Sequence, residues 1–190
     1  MDERALAACR DEISRDLNLL SDSLPPRFAK VMLRLCKDVD GLFSSSYPLV
    51  ITHDDLCEMN VLVDPSTGHI TGIIDWVDAK FRPFGLALWG VENVLGHMDS
   101  EGWHYCSNHE QLRKLFWKTF ESEVGTEDVT TELKEKMELA RLMGIALRYG
   151  FVWDIATGKK RPALSSDSSF KYLDAFMETD DGCAYANKGH

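Results

Sequence analysis

At 190 residues, 44% hydrophobic and 27% charged, the chain has the length and composition of one soluble globular domain with a sizeable core. A formal net charge of −10 excludes the basic face on which non-specific nucleic-acid and anionic-membrane binding rest, so neither partner is expected. Five scattered cysteines (Cys9, Cys36, Cys57, Cys106, Cys183) form no paired spacing and no apolar stretch suits a leader or a membrane span, so a reducing cytoplasm is the expected setting.

In chain order, Leu6, Cys9, Ile13, Leu17 and Leu20 recur at steps of three and four and predict a first helix. Ser21 to Pro26 breaks it. Phe28, Val31, Met32, Leu35, Val39 and Leu42 predict a second, closed by Gly41 and three serines. Residues 1–45 are thus expected as a helical pair, 46–178 as the core of a single domain, and 179–190 as a frayed tail.

Val50-Ile51 ends an apolar run and predicts a strand. His53-Asp54-Asp55 follows it. Asn60 opens a second run, Val61-Leu62-Val63. Asp64-Pro65-Ser66-Thr67-Gly68 is dense in turn formers, and Ile70 to Ile74 returns as a β-branched strand that delivers Asp75. If Val63 pairs with Gly72, Asn60 lies opposite Asp75, with Cβ atoms about 4.5–5.5 Å apart. Both side chains could then reach one hard cation, which for Mg²⁺ wants oxygen ligands at about 2.0–2.1 Å. Asp55 has enough chain before Asn60 to turn its carboxylate to the same place. A carboxylate beside a carboxamide–carboxylate pair suits phosphoryl transfer, one acid orienting or deprotonating a hydroxyl while a metal gathers phosphate charge.

Val77 to Pro83 reads as a connector and Leu86 to Leu95 as an apolar helix stopped by Gly96. Gly102 to Cys106 is aromatic and loop-like. His104, Cys106 and His109 fit no zinc-ligand spacing and are expected to be structural. His109 to Val124 is amphipathic through Leu112, Leu115, Phe116 and Phe120, with Gly125 ending it. Val129 to about Ile155 reads as one long helix in which Gly144 marks close packing or a bend. Thr157 to Ser169 reads as a loop carrying the solvated basic run Lys159-Lys160-Arg161, and Phe170, Leu173 and Phe176 mark a short last helix.

His53-Asp54-Asp55-Leu56-Cys57-Glu58-Met59-Asn60 resembles the H-G-D-x-x-x-x-N catalytic loop of the aminoglycoside phosphotransferase and choline kinase-like family, and Ile73-Ile74-Asp75-Trp76 resembles its I-D-W motif. The resemblance runs from about Pro48 to Gly96. It implies an α+β, mainly α, protein kinase-like fold in which the site is borne by a small β-hairpin of the C-terminal lobe. It also implies Asp55 as catalytic base, Asn60 and Asp75 as magnesium ligands, and His53 as a brace for the loop. Asp54 replaces the usual glycine. Were it close to Asp55, like-charge repulsion would make the two an acid–base pair. Gly85 stands where an aspartate often precedes Leu-Ala. Only 52 residues precede His53 and they read as helix, so the N-terminal ATP lobe is expected to be lacking.

Three functions follow from the resemblance and its departures. The leading one is an enzyme repurposed for ATP-independent chemistry, whose open floor of Asp54, Asp55 and His53 would carry out acid–base work, cyclisation or rearrangement of a small organic substrate. Trp76, Trp89, Trp103 and Trp153 are read first as core, with Trp76, Trp89 and Trp153 the candidate cleft walls. The second is a phosphotransferase that uses Mg²⁺ and ATP on a small-molecule hydroxyl. The third is a non-catalytic scaffold. In each, a homodimer or partner chain could cover the face left by the missing lobe.

Overall fold

The computed structural model describes residues 3–124 and 130–177. The expected helix stop at Gly125, the expected helix start at Val129 and the tail from residue 179 lie outside these residues. The described chain is mainly helical with small antiparallel sheets, which suits an α+β class. Among the described residues no helix is long and apolar enough to cross a membrane.

The helical pair forms because its apolar stripes find each other. Helix α1 (Glu3–Ser23) buries Cys9, Ile13, Leu17 and Leu20, and α2 (Ala29–Asp38) buries Met32 and Leu35. Pro25 and Pro26 separate them, with Pro26 opening a single 3-10 turn that seats Phe28. The second helix closes sooner than its periodicity predicts, because Val39–Phe43 tightens into a 3-10 segment that still buries Val39 and Leu42. Both helices pack against α5 (Thr131–Tyr149), so the pair is part of the core.

Helix α5 is the central element. Residues 137–146 are buried on every face, as expected of a helix surrounded by others. The Thr130 hydroxyl caps it by accepting from the Leu133 N–H at 3.2 Å. It ends at Gly150 and not near Ile155. Phe151–Asp154 leaves as strand β7 and pairs antiparallel with β8 (Lys159–Pro162), since β-branched and aromatic residues around an Asp154–Gly158 turn pair better than they propagate a helix. The expected loop at Thr157–Ser169 therefore contains a strand. Its basic run is partnered, Lys160 with Asp16 and Arg161 with Asp167. Helix α6 (Ser168–Met177) returns Phe170, Leu173 and Phe176 to the core.

Among the described residues, four two-stranded antiparallel sheets stand apart from one another. Strand β1 (Leu49–Thr52) pairs with β4 (Lys80–Pro83), so the expected connector is partly a strand that closes back on β1. Strands β2 (Val61–Val63) and β3 (Ile70–Ile73) form the expected hairpin. Its turn is held by the Asp64 carboxylate, which accepts from the Ser66 N–H at 2.8 Å, and by Gly68 at φ +74°. Strands β5 (Gly96–Met98) and β6 (Trp103–Tyr105) pair where a helix stop and a loop were expected. Gly96 makes this pairing fit, since a Cβ there would lie 2.3 Å from the His104 carbonyl oxygen. The Leu86–Leu95 helix is instead a 3-10 turn at Leu86–Trp89 followed by the one-turn α3 (Gly90–Asn93). Helix α4 (His109–Glu123) inserts Trp117, while Leu112 and Leu115 face solvent and Phe120 stacks on Phe84.

Gly144 fixes how α5 meets the Leu86–Trp89 turn. A Cβ on it would sit 2.0 Å from the Leu86 carbonyl oxygen and 2.9 Å from Trp89 Cδ1. Gly144→Ala is therefore expected to destabilise the fold by about 1–3 kcal/mol or more through overpacking against backbone. A denaturant midpoint unchanged from wild type would show that this contact can relax.

Candidate active site

Strand β1 ends at Thr52 and the chain enters a loop that is tied to itself. The Asp55 carbonyl oxygen accepts from the Cys57 N–H at 2.9 Å and from Asn60 Nδ2 at 2.8 Å, which uses both of its lone pairs. The Asn60 N–H donates to the Cys57 carbonyl at 3.1 Å, and the Asn60 carbonyl accepts from the Ile74 N–H at 3.0 Å. His53 is buried in the same knot. Its Nε2 lies 2.8 Å from the Ile74 carbonyl oxygen, which can only accept, so Nε2 carries the proton. Its Nδ1 accepts from the Asp55 N–H at 3.2 Å. Both ring nitrogens are committed, which makes His53 a brace between the loop and the end of β3. The Trp76 ring leans edge-on against it at 4.8 Å.

The knot fixes the backbone of Asp55 and leaves its carboxylate to be placed by a distant residue. Arg148, in the last turn of α5, brings Nη2 to 2.5 Å from Asp55 Oδ1. The approach is close but not aligned as a hydrogen bond, so the contact is an ion pair. Oδ1 is sealed from solvent, yet 39% of the Asp55 side chain is exposed, so the exposure falls on the rest of the side chain. Arg148 is held in turn, its guanidinium 5.2 Å above the ring of the buried Trp89, which meets Tyr149 edge-on. Burial pushes the Tyr149 phenol well above its ordinary pKa, and its hydroxyl donates to Asn93 Oδ1 at 2.7 Å.

The hairpin register differs from expectation by one residue. Leu62, not Val63, faces Gly72, and a bulge between Leu62 and Val63 sets Val63 against Ile70. Asn60 therefore meets Ile74, as their hydrogen bond records, and Asp75 lies one residue past it. Asp75 is also the sole non-glycine at positive φ among the described residues (φ 62°, ψ 56°), so the chain turns there and re-aims the carboxylate instead of continuing the strand's alternation. Asp75 is exposed and has no cationic partner among the described residues. Asp54 has a cationic partner of its own. Its Oδ2 accepts from Lys80 Nζ at 3.1 Å, across from the end of β1. Trp89 is core. Trp76 is half-exposed, with its indole N–H on the Ile73 carbonyl, and Trp153 stands in solvent on β7. His104 pairs with Asp99, and His109 Nδ1 approaches the Cys106 carbonyl. Among the described residues no group of three or more His, Cys, Asp or Glu could hold a metal ion.

Arg148 and Lys80 escaped the sequence reading. An arginine in the last turn of a helix reads as a partner for the helix dipole, and a lysine in a connector as solvated. Neither sequence pattern signals a partner in the loop. Gly85 is explained by backbone conformation. Its φ is +89°, and a Cβ there would lie 3.3 Å from Ala140 Cβ.

The geometry can be compared with known proteins. The model of the phosphotransferase enzyme family matches residues 2–97, which contain α1, α2, the knotted loop and the hairpin. An aminoglycoside 3'-phosphotransferase of Streptomyces fradiae is 34% identical over 73 residues, 38% of this chain and 27% of that protein. The chain thus spans about a quarter of the curated relative it matches. No solved structure matches. With half of its residues covered by that family model, the chain belongs to the phosphotransferase enzyme family.

Proposed function

We propose that the chain takes part in phosphoryl transfer from ATP to a hydroxyl of a small molecule, with Asp55 as the base. The observation that carries this reading is the state of Asp55: a backbone knotted in place, one carboxylate oxygen sealed and ion-paired, the rest of the side chain part-exposed. A carboxylate so held can accept the hydroxyl proton as the acceptor oxygen bonds to the γ-phosphorus. The bond from that phosphorus to the β,γ-bridging oxygen breaks, and ADP leaves with its electron pair.

The chemistry of the donors suits a magnesium ion. Asn60 spends its amide nitrogen on the Asp55 carbonyl and keeps Oδ1 as a hard oxygen, and Asp75 adds an exposed carboxylate with no cation of its own among the described residues. Mg²⁺ commonly takes one or two protein oxygens and completes its shell with phosphate and water. When bound, it would neutralise charge on the phosphates. Neither the geometry nor the comparisons lend support to cyclisation, rearrangement or a scaffold role over phosphoryl transfer.

On this reading the described residues correspond to the larger lobe of a kinase-like fold. The apolar face of the hairpin, where Leu62, Val63, Ile70 and Ile74 are exposed, suits cover by a nucleotide-binding lobe, whether of the same polypeptide, a partner chain or a second copy. A cytoplasmic setting with ATP and no nucleic-acid or membrane partner belongs to the same reading.

Mg²⁺-ATP is expected to raise the unfolding temperature. At a hundredfold excess over Kd, ligand binding adds about 2.7 kcal/mol. Asp75→Ala is expected to abolish the shift. If millimolar nucleotide leaves the wild-type transition where it was, this chain does not bind ATP by itself.

A further inference from the structure

We infer that Arg148 is a positioning residue for Asp55: by pinning Oδ1 it reserves Oδ2 for the acceptor hydroxyl. The inference rests on the phosphotransferase reading above and adds to it a residue outside the motif and outside the span matched by the family model.

Three observations meet at this contact. The ion pair is the one polar side-chain contact of Asp55 among the described residues, since the hydrogen bonds of the loop knot use its backbone alone. Without Arg148 the carboxylate is free to rotate about its χ angles and present either oxygen in many directions. Second, Arg148 is fixed at its far side. It rides on the face of Trp89, which the Tyr149 edge and the Gly144 contact hold in place. The guanidinium is thus set by the packing of α5 on the Leu86–Trp89 turn, not by the loop it serves. Third, the carboxylate is unequal in access. Oδ1 is sealed while 39% of the side chain is exposed, so the open approach lies away from Oδ1, on the Oδ2 side. A surface ion pair serving stability alone would not need a rigid aromatic platform under one partner. Holding one oxygen so that the other meets a reacting hydrogen is how a base gains from orientation, and a misplacement of about 1 Å can cost on the order of 10²-fold in rate.

The test is a double-variant cycle on the full chain: wild type, Arg148→Ala, Arg148→Lys, Asp55→Asn and Arg148→Ala/Asp55→Asn. ADP release from Mg²⁺-ATP is followed with water as acceptor, and with glycerol and glucose as hydroxyl probes. Arg148→Ala is expected to lower kcat on the order of 10- to 100-fold with little change in the KM for ATP. Arg148→Lys should recover part of the loss, since an ammonium keeps the charge without the planar fork. In the Asp55→Asn background, Arg148→Ala should cost almost nothing further, because its effect passes through the carboxylate. Equal rate losses in both backgrounds, or an unchanged kcat in Arg148→Ala, would overturn the inference while leaving the phosphotransferase reading intact. A wild-type chain that binds Mg²⁺-ATP but transfers phosphate to none of the three acceptors, or an Asp55→Asn variant as fast as wild type, would overturn both. Unfolding midpoints within a degree or two of one another will confirm that all variants are folded.

Discussion

Asp55→Asn is expected to reduce phosphoryl transfer by about 10²–10⁴-fold with the fold intact. Asparagine has nearly the size of aspartate and leaves the loop knot untouched, because that knot uses the Asp55 backbone carbonyl and N–H and not its side chain. What is lost is the capacity to take a proton. The loss of the ion pair with Arg148 should cost little stability. Its partners are 38% and 39% exposed, and an exposed pair contributes about 0–1 kcal/mol. Initial rates of ADP formation alongside denaturant unfolding separate the two effects. A variant with wild-type turnover would remove Asp55 from the chemistry, and the proposed base would have to be sought elsewhere.

The second large effect lies in the core. Arg141 donates to Glu138 through Nε at 2.9 Å and Nη2 at 2.7 Å, and its Nη1 reaches Glu92 Oε1 at 3.4 Å. The other oxygen of Glu92 accepts from Arg113 at 2.8 Å and from the Tyr105 hydroxyl at 3.1 Å. Glu92, Glu138 and Arg141 are each no more than 5% exposed, and the part-exposed Arg113 supplies the second positive charge that balances the two buried glutamates. Burial alone would make the Arg141 guanidinium easier to deprotonate, and the bidentate Glu138 contact more than offsets this, holding its pKa above the ordinary value. Arg141→Leu leaves Glu138 buried without a cation and is expected to cost about 3–5 kcal/mol. That is a large part of the roughly 5–15 kcal/mol that holds a domain folded. Arg141→Leu/Glu138→Leu should recover most of it, because both charges leave together and Glu92 keeps Arg113 and Tyr105. A single-variant loss below about 1 kcal/mol would mean that the cluster behaves like a surface pair. The cluster also bears on the site. It locks α5 to α3, and Arg148 lies two helical turns beyond Arg141 on the same face of α5. A shift of α5 would carry the guanidinium away from Asp55.

Local sequence patterns foretold the local structure. The stripes of α1 and α2, the turn at Asp64–Gly68, the return strand into Asp75 and the last helix at Phe170–Phe176 were all legible, because each depends on residues a few positions apart. Misreadings came at short segments read as the end of a helix or as a loop. Phe151–Asp154 and Trp103–Tyr105 became strands because each had a partner to pair with, and a pairing partner is not a property of the segment. The bulge at Leu62/Val63 moved the register by one residue, which no count of turn residues could fix, and the left-handed turn at Asp75 then re-aimed its side chain.

The sequence by itself determined the motif, the loop and the strands that carry Asp55, Asn60 and Asp75, since these lie within one stretch whose spacing is set by hydrogen bonds between near neighbours. The tertiary structure decided what surrounds them. The Arg148 clamp, the Lys80 partner of Asp54, and the Glu92–Arg141–Glu138 cluster that seats α5 join residues from separate elements. The physical reason is that a charge finds its partner through the packing of whole helices. A sequence states the charge, and the close packing of glycines such as Gly144 and Gly90 against neighbouring backbone sets where the helices, and with them the charges, come to rest.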